Sequence, residues 1–192
     1  MKLGLPGGGL PKLEQLFIKH FLVPSVRFVF TWESALKLLN KEVKKIENIV
    51  SKISKEDLQK RVIIDRVFAI EDNSRDFSIN MVMEHLVIAG TGVMGIIYAL
   101  SKEQEFTKEV TIEGVKPYEN SADTIKEFLA FSQQYDSFIS SLPKKKSIMT
   151  KKHPWFIEFN NFEWSAFMFI HTLIHRRQIE AIGKALGKGQ ME

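Results

Sequence analysis

Two histidines near the end of the chain have the spacing of a metal-binding pair. His171 and His175 are four residues apart, which places them on one face of a helix, about 40° from each other. Neutral imidazole is the commonest protein ligand for divalent transition metals. The two histidines lie on the apolar stripe of this helix together with Gln178. The charged side chains lie on the opposite face: Arg176, Arg177, Glu180 and Lys184. We therefore expect both imidazoles to point into the protein core.

A third ligand has to come from another helix, and His85 is the best candidate. It lies in the strongly apolar segment 79–100. The alternative is that each of the three histidines is an ordinary core residue bonded to a backbone carbonyl group. Composition and spacing leave both interpretations open. The pair has the sequence H-T-L-I-H. It lacks the glutamate of the H-E-x-x-H motif, which argues against that class of metalloprotease.

Two residues near His85 are candidates for supporting the site. Glu84 is adjacent in sequence but points about 100° away on a helix, so we expect it to support a ligand indirectly or to link two helices. Gly92 lies about 20° from His85 on the helical wheel. A glycine there provides either close contact between helices or room for a ligand.

Three further residues are candidates for the wall of a pocket. His153 precedes a Pro-Trp pair in a predicted loop, where a structural role or a place at the pocket rim is expected. Trp164 shares the stripe of the histidine pair, and Gln178 is placed to hydrogen-bond a ligand or a bound water. No residue stands out as a general base, and His20 is assigned no function.

A glycine-rich motif raises the possibility of nucleotide binding. Gly90, Gly92 and Gly95 have the G-x-G-x-x-G spacing, and Glu113 follows Gly90 by 23 residues, as in a dinucleotide-binding unit. Such a unit needs about five or six parallel strands, and the rest of the chain does not predict them. The alternative is one continuous helix over 79–100 in which the glycines serve packing or leave space.

Hydrophobic periodicity predicts four long helices, which is typical of an all-α four-helix bundle. A helical lead-in over 11–22 is expected to break near Pro24. Short irregular or extended segments fill the connections, including "RVIIDRVF" and "EVTIEGV". We predict a flexible tail over 1–11 and one domain over 12–192. The four predicted helices cover 32–53, 78–101, 121–142 and 160–186.

Composition narrows the function classes. The chain has 192 residues, a formal net charge of +4 and no cysteine, which excludes disulfides, thiolate metal sites and cysteine nucleophiles. Glu84, His85 and three glycines interrupt the one long apolar stretch, which disfavours a membrane span. The lysines of 144–152 have no interleaved aromatic residues, which argues against a nucleic-acid-binding surface. A cytoplasmic protein is expected.

The segments "RDFSINMVMEHLVIAG" and "HPWFIEFNNFEWSAFMFIHTLIHRRQIEAIGKAL" resemble the DinB/YfiT-like family of metalloenzymes. The resemblance covers about 25–186 and is strongest in the two histidine helices, where an uncharacterised bacterial subgroup is most similar. It implies an up-down-down-up four-helix bundle, often a homodimer. It also implies a site for zinc, nickel or a similar divalent ion on His85, His171 and His175.

The resemblance also indicates a range of reactions. Characterised relatives include S-transferases that use bacillithiol and a mycothiol-dependent maleylpyruvate isomerase, in which the metal activates a low-molecular-weight thiol. Hydrolysis of a small-molecule substrate by a metal-bound hydroxide is equally compatible with three histidines. The competing hypothesis is a non-catalytic dimeric stress or interaction protein with a structural or vestigial metal. The metal, the thiol and the substrate stay open at this point.

Overall fold

The computed structural model describes residues 3–5 and 7–187, and these are mostly α-helical, as the sequence predicts. One small antiparallel pairing precedes the last helix. In chain order, the elements are α1 (Lys12–Phe17), α2 (Val23–Val29), α3 (Trp32–Val50), α4 (Lys55–Gln59), α5 (Ile79–Ser101), α6 (Thr124–Ser141), β1 (Lys151–Lys152), β2 (Glu158–Phe159) and α7 (Asn161–Ala185).

The four long helices each pack against two others. α7 lies against α3 and α5, α5 also contacts α6, and α6 contacts α3. One buried cluster includes Trp32, Ile97 and Trp164, and a second includes Ile46, Leu86 and Ile179. Both clusters draw residues from α3, α5, α6 and α7, so the core runs along the interior that these helices share.

Local capping explains where the long helices begin. Thr31 and Ser34 bond reciprocally at the start of α3, and Asn160 and Glu163 do so at the start of α7. Ser78 accepts a hydrogen bond from Met81 N (3.1 Å) at the start of α5. Each cap satisfies backbone N–H groups that have no partner inside the helix.

The glycine-rich motif lies wholly inside α5. A Cβ on Gly90 would come within 2.2 Å of Phe131 Cζ, so this glycine allows α6 to approach closely. A Cβ on Gly92 would meet no atom within 4 Å. The strand-to-helix turn that a dinucleotide fingerprint requires is absent here, and the alternative of a continuous helix is confirmed.

By length and composition alone, α5 is the one described helix that could cross a membrane. Its most apolar window has a mean hydropathy of 1.5, and half of that window is buried inside the protein. Glu84, on the same helix, is also buried. The core helix of a globular protein has these same properties.

The N-terminal region differs from its sequence-based prediction. The helix does not break near Pro24, because a π-helical turn at Ile18–Leu22 connects α1 to α2 and Pro24 occupies the first turn of α2. The N–H that Pro24 lacks would otherwise pair inside this continuous helix, and the π-helical turn just before it is a local departure from the regular hydrogen-bond pattern of an α-helix. Within the predicted tail, Leu10 is buried, and Gly4 N donates to Asp72 Oδ2 (2.7 Å).

The connections contain no strand where the sequence suggested extended pieces. In 60–77, Ile64 N donates to the Arg75 carbonyl oxygen (3.0 Å), and Arg75 Nε donates to the Ile64 carbonyl oxygen (2.8 Å). A 3₁₀ turn occupies Glu113–Val115 in the connection between α5 and α6. This second connection lies over the face of α5 that carries His85, and it forms part of the site below.

Candidate metal centre

Three histidines from two helices meet inside the protein. His85 lies in the second turn of α5, and His171 and His175 lie on successive turns of α7. The ring centroids of His85 are 5.1 Å from His171 and 4.5 Å from His175, and those of the α7 pair are 4.5 Å apart. One ring nitrogen from each residue lies within 4.8 Å of the other two. The group therefore has the composition and the spacing of a metal site.

One nitrogen pair is close to the separation that a tetrahedral ion imposes. Zinc binds imidazole nitrogen at about 2.0–2.1 Å, so two ligands at a tetrahedral angle lie about 3.3 Å apart. His85 Nε2 and His171 Nε2 are 3.1 Å apart. Each of these atoms is therefore already close to the position that a shared ion requires.

Hydrogen bonds fix the tautomer of two of the rings. His85 Nδ1 donates to the Val115 carbonyl oxygen (2.7 Å), and His175 Nδ1 donates to Gln178 Oε1 (2.8 Å). Gln178 Nε2 in turn donates to the Ser74 carbonyl oxygen (2.7 Å). Because the proton sits on Nδ1 in both rings, Nε2 of each carries the lone pair that a metal needs. Gln178, predicted as a partner for a ligand or water, instead orients His175.

The third ring is held by packing. His171 stacks on Phe167, with centroids 5.3 Å apart and planes 24° apart. His171 Nδ1 is buried and has no hydrogen-bond partner among the described residues. An unpartnered buried nitrogen is costly. This cost is the same with or without an ion at Nε2, so it does not distinguish a structural His171 from a metal-binding one.

All three rings are in the neutral form that binds metals. Burial lowers the pKa of His85 to about 4, and the nearby Lys116 adds to this effect. Burial, followed by the other histidines, holds the pKa of His171 well below its usual range. The pKa of His175 is lowered in the same way, by burial and then by His85. At neutral pH none of the rings carries a proton that a metal would have to displace.

The histidines open onto a cavity of about 320 Å³. Its walls come from the N-terminal helical segment, from α5 and α7, from the connection 106–116 and from the turn 153–156, and they are largely apolar. Gly92 lines the cavity, and the open space beside it is the room that the sequence suggested. A small apolar molecule can therefore lie beside the three rings.

Two of the predicted pocket residues belong to an aromatic wall. His153 is buried and lies parallel to Phe156, with centroids 4.5 Å apart. Trp164 meets Phe159 and Phe167 edge-on, at 5.3 and 5.7 Å. Both His153 and Trp164 line the cavity, and Trp164 Nε1 is a buried donor without an acceptor among the described residues.

Glu84 fastens a loop and does not contact a ligand ring. Its Oε1 accepts hydrogen bonds from the backbone N–H groups of Tyr118 (2.8 Å) and Glu119 (2.9 Å), and its Oε2 accepts one from Asn120 (2.9 Å). The next residue, His85, bonds to Val115 of the same loop. Successive residues of α5 thus attach the loop, and the second of these bonds also orients the candidate ligand His85.

Sequence reasoning missed a polar group on the cavity wall. Lys116 Nζ forms an ion pair with Glu71 and donates to Ser74 Oγ (3.0 Å). All three residues line the cavity, and Lys116 is close enough to lower the pKa of both His85 and His175. Glu71 and Ser74 lie in the connection before α5, and Lys116 lies in the connection between α5 and α6. No periodic pattern in the sequence predicts how these two segments fold. No sequence signal therefore pointed to them.

Comparisons of the chain with models of known protein families, with curated proteins and with solved structures found no match. The three-histidine group therefore carries the functional argument by its own geometry.

Proposed function

We propose that His85, His171 and His175 bind one divalent transition metal ion, zinc or nickel, in a metalloprotein of the DinB/YfiT type. The convergence of three neutral imidazoles, two of them with fixed tautomers, carries this proposal. The family's up-down-down-up bundle is proposed as the arrangement of α3, α5, α6 and α7. Their pairwise packing supports it.

The proposed reaction is thiol-dependent S-transfer to a small apolar substrate in the cavity. A bound divalent ion supplies a positive charge that lowers the pKa of a thiol or a water molecule. Three protein ligands leave at least one coordination position for such a group. The chain's own contribution is to hold the rings, to bind the apolar part of the substrate and to exclude water.

Hydrolysis is the second candidate, and the polar wall favours it. Glu71 is a buried carboxylate, paired with Lys116, on the same cavity as the histidines. A carboxylate in that place can accept the proton of an attacking water molecule. Activity toward apolar esters or amides without a thiol would favour hydrolysis over S-transfer.

Metal analysis tests the site. Protein purified without a histidine tag should contain about one equivalent of zinc or nickel by mass spectrometry. H171A and H85A should lose it. H20A is the matched control, since His20 is exposed, and it should keep the metal. Equal metal content in H171A and H20A would show that the site is wrongly assigned.

A thiol screen then tests the reaction. Bacillithiol and mycothiol are combined with apolar electrophiles, and turnover by the metal-loaded protein is compared with turnover by H85A. S-transfer predicts turnover that needs both the thiol and His85. Metal binding without turnover in either the thiol or the hydrolysis assay would favour the competing hypothesis of a non-catalytic protein with a structural metal.

A cytoplasmic homodimer completes the proposal. The N-terminal helical segment exposes a row of large apolar side chains, and a second copy of the chain could cover them: Leu13, Phe17, Phe21 and Phe28 are 82%, 51%, 68% and 87% exposed. Light scattering of the purified protein should give twice the 22.1 kDa chain mass. A monomeric mass would remove the dimer from the proposal.

A further inference from the structure

His153 is held rigidly at the wall of the cavity. It lies in the turn between β1 and β2, where its backbone N donates to Ile157 O (3.1 Å) and its carbonyl accepts from Phe156 N (3.4 Å). Its ring packs against Phe156 and Phe167, at 4.5 and 4.8 Å. The ring orientation is therefore set by the backbone turn and by the neighbouring rings.

The tautomer of His153 leaves one free donor. The Trp155 backbone N–H donates to His153 Nδ1 (3.2 Å), so Nδ1 is an acceptor and the proton of a neutral ring is on Nε2. No described residue accepts a hydrogen bond from Nε2. His153 lines the cavity, and its Nε2, unlike Nδ1 of His171, is not one of the fully enclosed unpartnered atoms of the described residues.

The surroundings of this donor define what can bind to it. Phe156, Phe159, Trp164 and Phe167 form aromatic walls around the ring, and these favour a flat apolar group. An N–H group that faces an apolar cavity is stabilised by an acceptor on the bound molecule, because it otherwise loses its hydrogen bond when water is displaced.

We propose that His153 Nε2–H is a hydrogen-bond donor to the substrate, and that the substrate is an aromatic or similarly flat apolar molecule with a carbonyl oxygen. This inference names the substrate class of the proposed function and rests on that function for the reaction, but not for binding. Burial lowers the pKa of His153 to about 3, which keeps the ring neutral at pH 7. A carbonyl oxygen is thus a better match than an anion that needs a positive charge.

A pair of probes that differ in one atom group tests the donor. 4-Fluoroacetophenone carries the carbonyl oxygen, and 4-fluoro-α-methylstyrene has nearly the same shape with a methylene group in its place. Their affinities for the full chain as purified are measured by ¹⁹F NMR. We expect the ketone to bind about tenfold tighter, because the styrene leaves the N–H unpaired. A ratio near one in the unsubstituted protein would overturn the proposal.

Two variants separate the hydrogen bond from the shape of the cavity. H153F keeps a flat ring without the donor, so its ketone-to-styrene ratio should fall to about one while styrene binding is kept. H153Q places an amide N–H near the position of Nε2 and should retain a preference for the ketone. A tenfold preference that persists in H153F would contradict the role of His153.

A third variant shows whether the probes bind in this cavity. Gly92 lines the cavity with open space beside its Cα, so G92L should fill it and weaken the binding of both probes by about tenfold or more. Unchanged binding in G92L would place the probes elsewhere and overturn the assignment to His153.

The measurement is repeated after chelator treatment, with the metal content determined on the same sample. A preference for the ketone in purified protein that contains no metal would support this inference and contradict the proposed function. Metal bound to the three histidines, together with equal affinities for the ketone and the styrene, would support the proposed function and contradict this inference.

Discussion

The three rings of the candidate metal centre are oriented in different ways. His85 and His175 each donate one hydrogen bond from Nδ1, to Val115 O and to Gln178 Oε1, whereas His171 relies on stacking against Phe167. Gln178 is fully buried and also donates to Ser74 O. At the scale of single residues, we therefore expect the loss of Gln178 to weaken metal binding almost as much as the loss of a ligand histidine.

Replacing Gln178 by leucine tests this dependence. Q178L removes the acceptor that fixes the His175 tautomer, and we expect the affinity for zinc to fall by about 10- to 100-fold. Competition with a chromophoric chelator measures the change. Q178E keeps an acceptor and should lose less, while Q134L, on the exposed Gln134 of α6, should match the unsubstituted protein. Equal affinity of Q178L and Q134L would show that this hydrogen bond has no effect on the ion.

The burial of His153 predicts a dependence of stability on pH. Its pKa is about 3 in the folded protein, below the ordinary value of about 6.5 in an unfolded chain. Between these values only the unfolded state takes up the proton. The contribution of His153 to the free energy of unfolding is therefore complete above pH 6.5 and is lost as the pH falls toward 3. The limiting slope is about 1.4 kcal/mol per pH unit.

Urea unfolding of metal-free protein at pH 7, 6 and 5 measures this contribution. As the pH decreases, the free energy of unfolding should fall less steeply in H153F than in the unsubstituted protein. The two slopes should differ by up to about 1.4 kcal/mol per pH unit below pH 6. The other buried histidines remain in both proteins, so the difference isolates His153. Parallel curves for the two proteins would contradict the prediction.

At the scale of elements, α5 contains a matched pair of glycines. A Cβ on Gly90 would overlap the ring of Phe131, whereas one on Gly92 would meet open space. We expect G90A to lower the free energy of unfolding by about 1–3 kcal/mol through overpacking. G92A should raise it by about 0.5–1 kcal/mol, because alanine favours the helix. Thermal unfolding of both variants checks the signs, and a loss of stability in G92A would contradict the open space.

Sequence patterns predicted the elements that have local causes. The periodic apolar stripes located α5 and α7 to within a few residues, which placed His85, His171 and His175 on their helices. The break predicted near Pro24 is absent, because the helical backbone continues through a π-helical turn into α2. Helix ends and apolar faces are local properties, and so a single sequence contains them.

The rest of the site depends on contacts between distant segments. "RVIIDRVF" forms no strand, because its backbone pairs with Arg75 instead. Lys116 meets Glu71 across 45 residues of chain, and no periodic pattern marks either residue. His153 lay in a loop whose turn, and therefore whose free Nε2–H, became visible only with the coordinates.

At the scale of the whole molecule, a metal ion would join two helices of the core. His85 belongs to α5 and the pair belongs to α7, and both helices also take part in each hydrophobic cluster. An ion that binds the folded state alone stabilises it by about 4 kcal/mol at 1,000 times its dissociation constant. For a chain of this size, that corresponds to a rise in Tm of about 10 °C.

Calorimetry with and without zinc measures this linkage. The unsubstituted protein should show the rise in Tm and should lose it on adding a chelator, while H171A should give the same Tm in both conditions. H20A serves as the control that keeps the response. A Tm of the unsubstituted protein that does not change with zinc would show that the ion does not bind the folded state preferentially.

The loop 115–120 is secured to two neighbouring residues of α5, to His85 through Val115 and to Glu84 through three N–H groups. Swinging this loop outward would release the imidazole from the bond that sets its protonation. A molecule that entered by that route would therefore disturb the ion's own environment on arrival and again on departure. The N-terminal helical segment also lines the cavity, and a route beneath it would leave both of these attachments in place.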